Sequence, residues 1–425
     1  MSISADFVIE HADVIATCAG PAPRRGPAQR EVSALRDGVI AARDGRIVFA
    51  GHASAFGRQA AVPPHATRID ARGCSVIPGF VDPHTHVVYA GSRLQEVRRR
   101  LAGATYADIA AEGGGILRTV ADTRDASEDD LVSAARVRLD EMAAAGTTTC
   151  EVKSGYGLTT ESELRLLRAI RRLDEEHPID LVPTFLGAHE IPPEFRSRPD
   201  AFVSHVTRDM IPAVARESLA EWCDVFCEQG AFTPEQSLEI LNADRRHGLK
   251  PRIHADELAA SGGWRTAVEA GARSADHLVF VDEQGAQALA EADVCAVLLP
   301  AASLYLKLGR YAPARLLIDT GVAVALGTDS NPGGGFSPSM PFAMTLACFA
   351  MGMTLEESLV AATLNAAWAL DRADIVGSLE PGKRMDAVIV EGDLINLVRV
   401  GVPAIRAVVK NGRVIAGRQS VVSSQ

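Results

Sequence analysis

Most of the chain alternates between short apolar runs and longer amphipathic segments. The runs are rich in β-branched residues, and the segments between them are rich in Ala, Leu, Glu and Arg, as is typical of strands that alternate with helices. The segments are long enough for right-handed crossover connections. The pattern predicts an α/β fold, a (β/α)8 TIM-type barrel over residues 71–375. Its eight strands are predicted to end near His84, Glu151, Gly187, Glu228, His254, His277, Leu299 and Asp329.

Both ends of the chain show a different pattern, of short alternating strands bounded by turn residues. Strands are predicted at 6–10, 37–41, 44–49 and 386–390. A hairpin is predicted over 407–415, with its turn at Asn411–Gly412. Since the termini of a domain often lie close together, we expect residues 1–70 and 376–425 to form one small β-sandwich domain.

Composition and charge narrow the classes of partner and the cellular compartment. The net charge of −11 argues against binding to nucleic acid or to an anionic membrane surface. The sequence has no apolar segment near the ~20 residues that cross a bilayer, and the first residues lack the pattern of a signal peptide. Several of the seven cysteines lie in apolar runs, as in proteins of a reducing compartment. We therefore expect a cytoplasmic protein.

Two basic runs interrupt this acidic composition. They lie at 98–100 and 171–172, in segments with helical character beside acids or apolar residues. Such runs usually form the solvated face of a helix, and that is the structure we predict for both.

Polar side chains follow nearly every predicted barrel strand. His84 and His86 are two residues apart, a spacing that directs both imidazoles to one face of a strand. In a barrel of this kind the carboxyl ends of the strands meet at one rim, where active sites lie. A single buried histidine is common, but acids and histidines at so many strand ends are not explained by packing. The further members of the set are Glu151, His189, Glu190, His254, Glu257, Asp276, His277, Asp329 and Asn331.

The motifs at these strand ends resemble those of the amidohydrolase superfamily. That superfamily has His-x-His on the first strand, histidines on the fifth and sixth strands, and aspartate on the eighth. The likeness covers nearly the whole chain, including both ends. It rests on the sequences at 78–86, 151–157, 185–190, 223–228 and 327–333.

This resemblance implies one metal ion, zinc or iron, with an open position for a water molecule. Imidazole and carboxylate ligands suit a catalytic metal of either kind, which activates its water as hydroxide. The implied ligands are His84, His86, His254 and Asp329. The fourth run, at 222–228, has no lysine of the kind that bridges two metals in other members, so a single ion is expected. Glu257, His277 and Asp329 are the expected catalytic residues for proton transfer and carbonyl polarisation.

The resemblance also implies an anionic small-molecule substrate, 4-imidazolone-5-propanoate. Arg93 follows His86 by seven residues and is expected to bind the carboxylate tail through two hydrogen bonds. The other expected contacts to substrate or product are Tyr156, His189, Glu257, Asn331, Gly333 and Gly334. At Gly334 the sequence departs from the hydroxyl-bearing residue expected in relatives, so any contact there is through the backbone.

The implied reaction is hydrolysis of the cyclic amide to N-formimidoyl-L-glutamate, a step of histidine degradation. One alternative is a mononuclear-metal deaminase of a purine- or pyrimidine-type ring, which would release ammonia. Another is a non-catalytic barrel scaffold, whose apo form would fail to recover metal. We further expect a homodimer, from base rates for soluble enzymes and from the family.

Overall fold

The computed structural model describes residues 3–105, 108–109 and 112–417. The outer parts of the predicted small domain, residues 1–2 and 418–425, lie outside the described residues. The main chain forms a barrel of eight parallel strands, each hydrogen-bonded to the strand that precedes it in chain order. In that order the barrel strands are Phe80–Asp82, Thr147–Lys153, Asp180–Ala188, Trp222–Cys227, Ile253–Ala255, Ser274–His277, Cys295–Leu298 and Val324–Leu326.

The barrel closes where the first strand meets the eighth. Thr85 and Ser330 form a parallel bridge just beyond the two strands. The amide of His86 donates to Ser330 O at 2.9 Å, and the amide of Asp329 donates to His84 O at 3.1 Å. The fold therefore joins the His84–His86 segment directly to Asp329. A short strand, Lys250–Pro251, pairs with the fourth barrel strand ahead of the fifth.

Helices cover the outside of the barrel, and several begin at side-chain caps. Ser127, Thr233 and Thr354 each form a reciprocal capping box with the residue three positions later, which satisfies amide groups that a helix start leaves unpaired. The α-helices are Ala53–Gln59, Leu94–Leu101, Ile116–Asp125, Glu128–Ala144, Thr160–Glu176, Pro199–His205, Ile211–Glu217, Pro234–Arg246, Gly263–Ala270, Glu283–Glu291, Pro300–Tyr305, Ala314–Thr320, Met340–Ala350, Leu355–Ala361 and Leu364–Ala369. The 3-10 helices are Gly26–Arg30, Pro193–Phe195 and Leu394–Val398, and Val206–Met210 is a π-helical turn.

A second, mostly antiparallel sheet contains strands from both ends of the chain. Its strands are Phe7–Ala16, Ala34–Arg43, Arg46–His52, Thr67–Asp70, Cys74–Pro78, Ala387–Glu391, Ile405–Lys410 and Arg413–Gly417. Ile3–Ser4 pairs separately with Ala60–Ala61. Cys74–Pro78 is central, since it lies between the N-terminal strand Phe7–Ala16 and the C-terminal strand Ala387–Glu391. The barrel and the terminal sheet confirm the predicted fold class. The predicted hairpin is also present, with Lys410 opposite Arg413 across a two-residue turn.

The prediction for the basic run at 98–100 is wrong for one residue. Arg98 is exposed, but Arg100 is only 2% exposed, because it lies on the inner side of the helix Leu94–Leu101. In the other run, Arg171 is exposed and Arg172 is partly exposed. All seven cysteines are free thiols, and six of them are buried. Within the described part of the chain, every helix is too short or too polar to span a membrane.

Candidate active site

Four of the predicted side chains converge at the rim of the barrel. Nε2 of His84 lies 3.3 Å from Nε2 of His86, which in turn lies 3.4 Å from Nε2 of His254. Oδ1 of Asp329 lies 3.7 Å from Nε2 of His84 and 3.5 Å from Nε2 of His86. All four residues are buried. Donor atoms about 2.0–2.1 Å from one metal ion lie about 3.3 Å apart in tetrahedral geometry, so these separations suit a shared cation.

Two of these imidazoles hydrogen-bond to carboxylates through Nδ1, and the resulting protonation state favours a bound cation. Nδ1 of His84 lies 2.6 Å from Oδ2 of Asp276, and Nδ1 of His254 lies 3.0 Å from Oδ1 of Asp224. A carboxylate accepts a hydrogen bond, so in each pair Nδ1 carries the proton and Nε2 is left with a bare lone pair. Burial holds the pKa of His84 well below its usual value, and the nearby Lys153 lowers it further. The two bare lone pairs both lie within 3.4 Å of Nε2 of His86. A buried cluster of nitrogen donors at this spacing suits a shared cation, so the donor set fits a metal ion.

The two carboxylates behind the histidines belong to a buried charged network. Lys153 Nζ lies 2.8 Å from both Oε1 of Glu151 and Oδ2 of Asp224. Arg252 Nη2 donates to Oδ2 of Asp276 at 3.1 Å. Buried charges are tolerated when they are paired and hydrogen-bonded. This network therefore keeps Asp224 and Asp276 as acceptors for His254 and His84.

Glu257 and His277 lie next to the four converging groups. Nδ1 of His277 is 3.5 Å from Oε1 of Glu257, and Nε2 of His277 is buried with no hydrogen-bond partner among the described residues. Burial raises the pKa of Glu257 well above its usual value, and the neighbouring Asp329 and Glu228 raise it further. His277 also lies close enough to His84 and His254 to complete a second group of three possible metal donors. A carboxyl group with a raised pKa beside an imidazole is suited to proton transfer.

Asp329 begins a tight loop after the eighth barrel strand. The φ angle of Asp329 is 49°, and that of His277 is 75°. Both residues therefore adopt a left-handed backbone conformation that residues other than glycine rarely adopt. Asn331 holds the loop, since its side chain donates to Asp329 O at 2.9 Å and accepts from the amides of Gly333 and Gly334 at 2.9 and 2.6 Å. Burial raises the pKa of Asp329 to about 6.

Tyr156 and His189 lie on one side of the same cavity. His189 stacks on His86, with ring centroids 5.1 Å apart and planes 20° apart. Its Nδ1 lies 3.0 Å from the carbonyl oxygen of Gly155, and its ring centroid is 5.3 Å from that of Tyr156. Both rings are buried. Their planes are 54° apart, so together they form an angled aromatic wall against which a planar ring would pack.

Arg93 lines the cavity from the loop after the first barrel strand. It is 5% exposed and lies at the start of the helix Leu94–Leu101. A Cβ on Gly333 would lie 2.4 Å from Cζ of Arg93, so glycine permits the close approach of the loop. At Gly334 the nearest atoms are 3.4 Å or more from such a Cβ, which leaves room for a side chain. The cavity is lined by His86, Arg93, Tyr156, His189, His254, Glu257, His277, Asp329, Asn331 and Gly334, together with Ile116, Phe226, Leu258 and Leu306.

All the predicted site residues except His84 and Gly333 line this cavity. Those two lie directly behind the lining, His84 beside His86 and Gly333 beside Arg93. Asp224 and Arg252 were not predicted from the sequence, and Asp276 was included only as one of the polar residues at the strand ends. One signal was available, since charged residues within apolar strands are costly unless they have partners. The identity of each partner depends on strand neighbours that are far apart in sequence: His254 is opposite Asp276 in the barrel, yet its imidazole pairs with Asp224.

The chain matches a known protein family over most of its length. Residues 75–417 match the amidohydrolase family. The match covers most of the chain, so the chain belongs to this family of metal-dependent hydrolases.

Curated relatives make the assignment more specific. The imidazolonepropionase of Alkaliphilus metalliredigens is 46% identical over 420 residues, covering 98% of this chain and 99% of the relative. That of Symbiobacterium thermophilum is 47% identical over 419 residues, covering 98% of each. Within the amidohydrolases, the chain therefore belongs to the imidazolonepropionase family.

Solved structures share the fold at much lower identity. A triazine hydrolase variant has a TM-score of 0.73 at 20% identity, covering 98% of this chain and 95% of that one. A zinc-bound adenosine deaminase from Xanthomonas campestris has a TM-score of 0.70 at 18% identity, with coverages of 99% and 95%. At these identities the likeness concerns the fold alone.

Proposed function

We propose that this chain hydrolyses the ring amide of 4-imidazolone-5-propanoate to N-formimidoyl-L-glutamate, a step of histidine degradation. The observation that carries the proposal is the position of Arg93, a buried cation in the wall of the cavity that also contains the histidine and aspartate donors. In a protein of net charge −11, a buried arginine at this point suits a substrate with a carboxylate. Membership of the imidazolonepropionase family supports the same reaction.

His84, His86, His254 and Asp329 are the proposed ligands of one zinc or iron ion. When bound, such an ion makes a nucleophilic hydroxide available near neutral pH and polarises a carbonyl oxygen. Asp224 and Asp276 orient two of the imidazoles through Nδ1, so that Nε2 is directed to the centre of the site.

The proton transfers are assigned to three further groups on this chain. Hydrolysis adds hydroxide to the carbonyl carbon, breaks the ring C–N bond and delivers one proton to the leaving nitrogen. Asp329 accepts a proton from the attacking water, while Nε2–H of His277 donates to the developing oxyanion. Glu257, whose pKa is raised by burial, carries the proton that the leaving nitrogen needs.

The remaining residues bind the substrate and the product. Arg93 binds the propanoate through a bidentate pair, and Tyr156 with His189 packs against the ring. Asn331 and the backbone at Gly333 and Gly334 contact the opened product. The space beside Gly334 suits a water molecule at this part of the cavity.

The same proposal includes a cytoplasmic homodimer. Seven free thiols are consistent with a reducing compartment, and closed twofold dimers are the commonest oligomers of soluble enzymes. Sedimentation equilibrium of the purified chain measures the mass directly. A monomeric mass at micromolar concentration would contradict the dimer without affecting the proposed reaction.

The reaction is tested with metal-replete protein and freshly generated imidazolonepropanoate. We expect loss of the substrate absorbance, with N-formimidoyl-L-glutamate as the product. In R93A the KM is expected to rise about 100-fold because a bidentate charged contact is lost, while the metal content stays the same. R118A is the matched control, since Arg118 is exposed and pairs with Asp122 on a surface helix. Release of ammonia would instead indicate a deaminase.

A further inference from the structure

The helix Leu94–Leu101 is oriented with charged residues inside and leucines outside. Leu94 and Leu101 are 57% and 74% exposed, whereas Glu96 and Arg100 are 8% and 2% exposed. Arg93, at the start of the helix, shares this side, since positions i, i+3 and i+7 lie on one helix face. We call Arg93, Glu96 and Arg100 the inward charged face. Burying these groups while leucines are exposed costs stability, so the arrangement calls for a role other than packing.

Glu96 fixes the guanidinium of Arg93 at one edge. Its Oε2 accepts from Nε of Arg93 at 2.8 Å, and its Oε1 accepts from the amide of Gly115 at 2.9 Å. The pair is buried, since the side chains of Arg93 and Glu96 are 5% and 11% exposed. Glu96 accepts from Nε of Arg93, so this pair does not require the two terminal Nη groups of the guanidinium. Those two groups suit a bidentate contact with the carboxylate of a substrate.

Arg100 holds the loop on the other side of Arg93. Its Nη2 donates to the carbonyl oxygen of Gly333, the residue that packs against the Arg93 guanidinium. The amide of Gly333 donates to Asn331, whose side chain donates to the carbonyl oxygen of Asp329. One helix face therefore positions the guanidinium and the loop that leads back to Asp329.

We propose that Glu96 and Arg100 are positioning residues that select substrates with a carboxylate tail. Glu96 sets the orientation of the Arg93 guanidinium, and Arg100 fixes the 331–335 loop against it. The inference rests on the proposed function, because it requires that Arg93 binds the propanoate. Its consequence is that Glu96, which among the described residues contacts Arg93 and not the 331–335 loop, affects binding of the tail and leaves the chemistry at the ring unchanged.

The test compares E96Q with the wild type on two substrates. One is 4-imidazolone-5-propanoate, and the other is the unsubstituted imidazolone, which lacks the tail. In E96Q the KM for the first is expected to rise about 10- to 100-fold, as for loss of one charged hydrogen bond, with kcat unchanged. The kcat/KM for the second is expected to stay at the wild-type value. In a double-mutant cycle, R93A/E96Q is expected to be no worse than R93A, because Glu96 acts through Arg93.

Glu112 provides the matched control. It also pairs with an arginine of this helix, with its Oε1 2.7 Å from Nη2 of Arg99, but its side chain is 63% exposed. E112Q is therefore expected to keep the wild-type KM for both substrates. If E96Q does not fold, as judged by its Tm and metal content, E96D replaces it in the test, because aspartate keeps the carboxylate on a shorter side chain. The same loss, dependent on the tail, is expected of E96D.

Two results separate this inference from the proposed function. If the wild type opens the tail-bearing ring but E96Q has an unchanged KM, or loses activity equally on both substrates, the positioning role is overturned and the proposed function stands. If the wild type opens neither ring, the proposed function fails, and the inference fails with it.

Discussion

At the scale of single residues, carboxylates behind the histidines decide which imidazole nitrogen is available. Asp276 and Asp224 each occupy Nδ1 of one histidine, so that Nε2 of His84 and of His254 is directed to the shared centre. The histidines themselves were predictable, since polar residues that close apolar strands meet at the rim of a barrel. Their partners were not, because side-chain pairing across a barrel depends on register and twist, which sequence spacing does not encode.

Asp276 gives the residue-scale prediction. In D276N we expect the affinity for zinc to fall about 10- to 100-fold, because the loss of the carboxylate charge makes His84 a weaker ligand. The fold is expected to persist with lower stability, because Asn is similar in size and still accepts a hydrogen bond, but the buried Arg252 loses its paired charge. Competition with a chromophoric chelator measures the zinc affinity directly, without reference to turnover.

Asp140 provides the control for that experiment. It lies 3.3 Å from Nε2 of His177, so it is also an Asp–His pair, but its side chain is 70% exposed. D140N is expected to keep the wild-type zinc affinity. Equal affinities of D276N and the wild type would show that Asp276 does not support the proposed ligand His84.

At the scale of elements, local patterns predicted strands and turns better than helix orientation. The hairpin at Asn411–Gly412 follows from two residues that tolerate positive φ, and their φ values are 49° and 71°. The inward orientation of Arg100 in the helix Leu94–Leu101 was not predicted, because a run of arginines resembles a solvated face. Arg100 contacts the carbonyl oxygen of Gly333, 233 residues away in sequence, and sequence spacing does not reveal a contact of this kind.

The backbone conformation of the hairpin is tested by substituting alanine for a glycine in its turn and, for comparison, for a glycine in a helix. The two substitutions are expected to change the free energy of unfolding in opposite directions. G412A is expected to lower the free energy of unfolding by about 1–2 kcal/mol, because alanine is strained at positive φ. The nearest described atoms lie 3.7 Å or more from a Cβ at this position, so a clash does not contribute. In G57A, within the helix Ala53–Gln59, we expect a gain of about 0.5–1 kcal/mol. Urea denaturation measures both, and a loss in both variants would contradict the assignment to backbone conformation.

At the scale of the whole molecule, a buried lysine connects the terminal sheet to the barrel. Lys410 ends the strand Ile405–Lys410, and its Nζ lies 2.7 Å from Oδ2 of Asp386 and 2.5 Å from Oδ2 of Asp180. Asp180 begins the third barrel strand. The side chains of Lys410 and Asp386 are 2% and 3% exposed. The connection joins residues 230 positions apart, which is why composition and periodicity predicted both sheets but not the contact between them.

Removing this lysine is expected to destabilise the fold without changing the chemistry. K410M leaves Asp386 buried without its cation, and loss of one partner of a buried pair typically costs about 3–5 kcal/mol. Burial already raises the pKa of Asp386, and the nearby Lys410 opposes that shift, so the carboxylate depends on the lysine to stay charged.

R43Q is the control, since the side chains of Arg43 and Asp44 are 60% and 87% exposed and lie 3.6 Å apart. This substitution is expected to lower the free energy of unfolding by less than about 1 kcal/mol. Urea denaturation gives the free energies, and kcat/KM below the transition is expected to match the wild type in both variants. Equal stability of K410M and R43Q would mean that the Lys410 pair adds nothing to the connection between the two sheets.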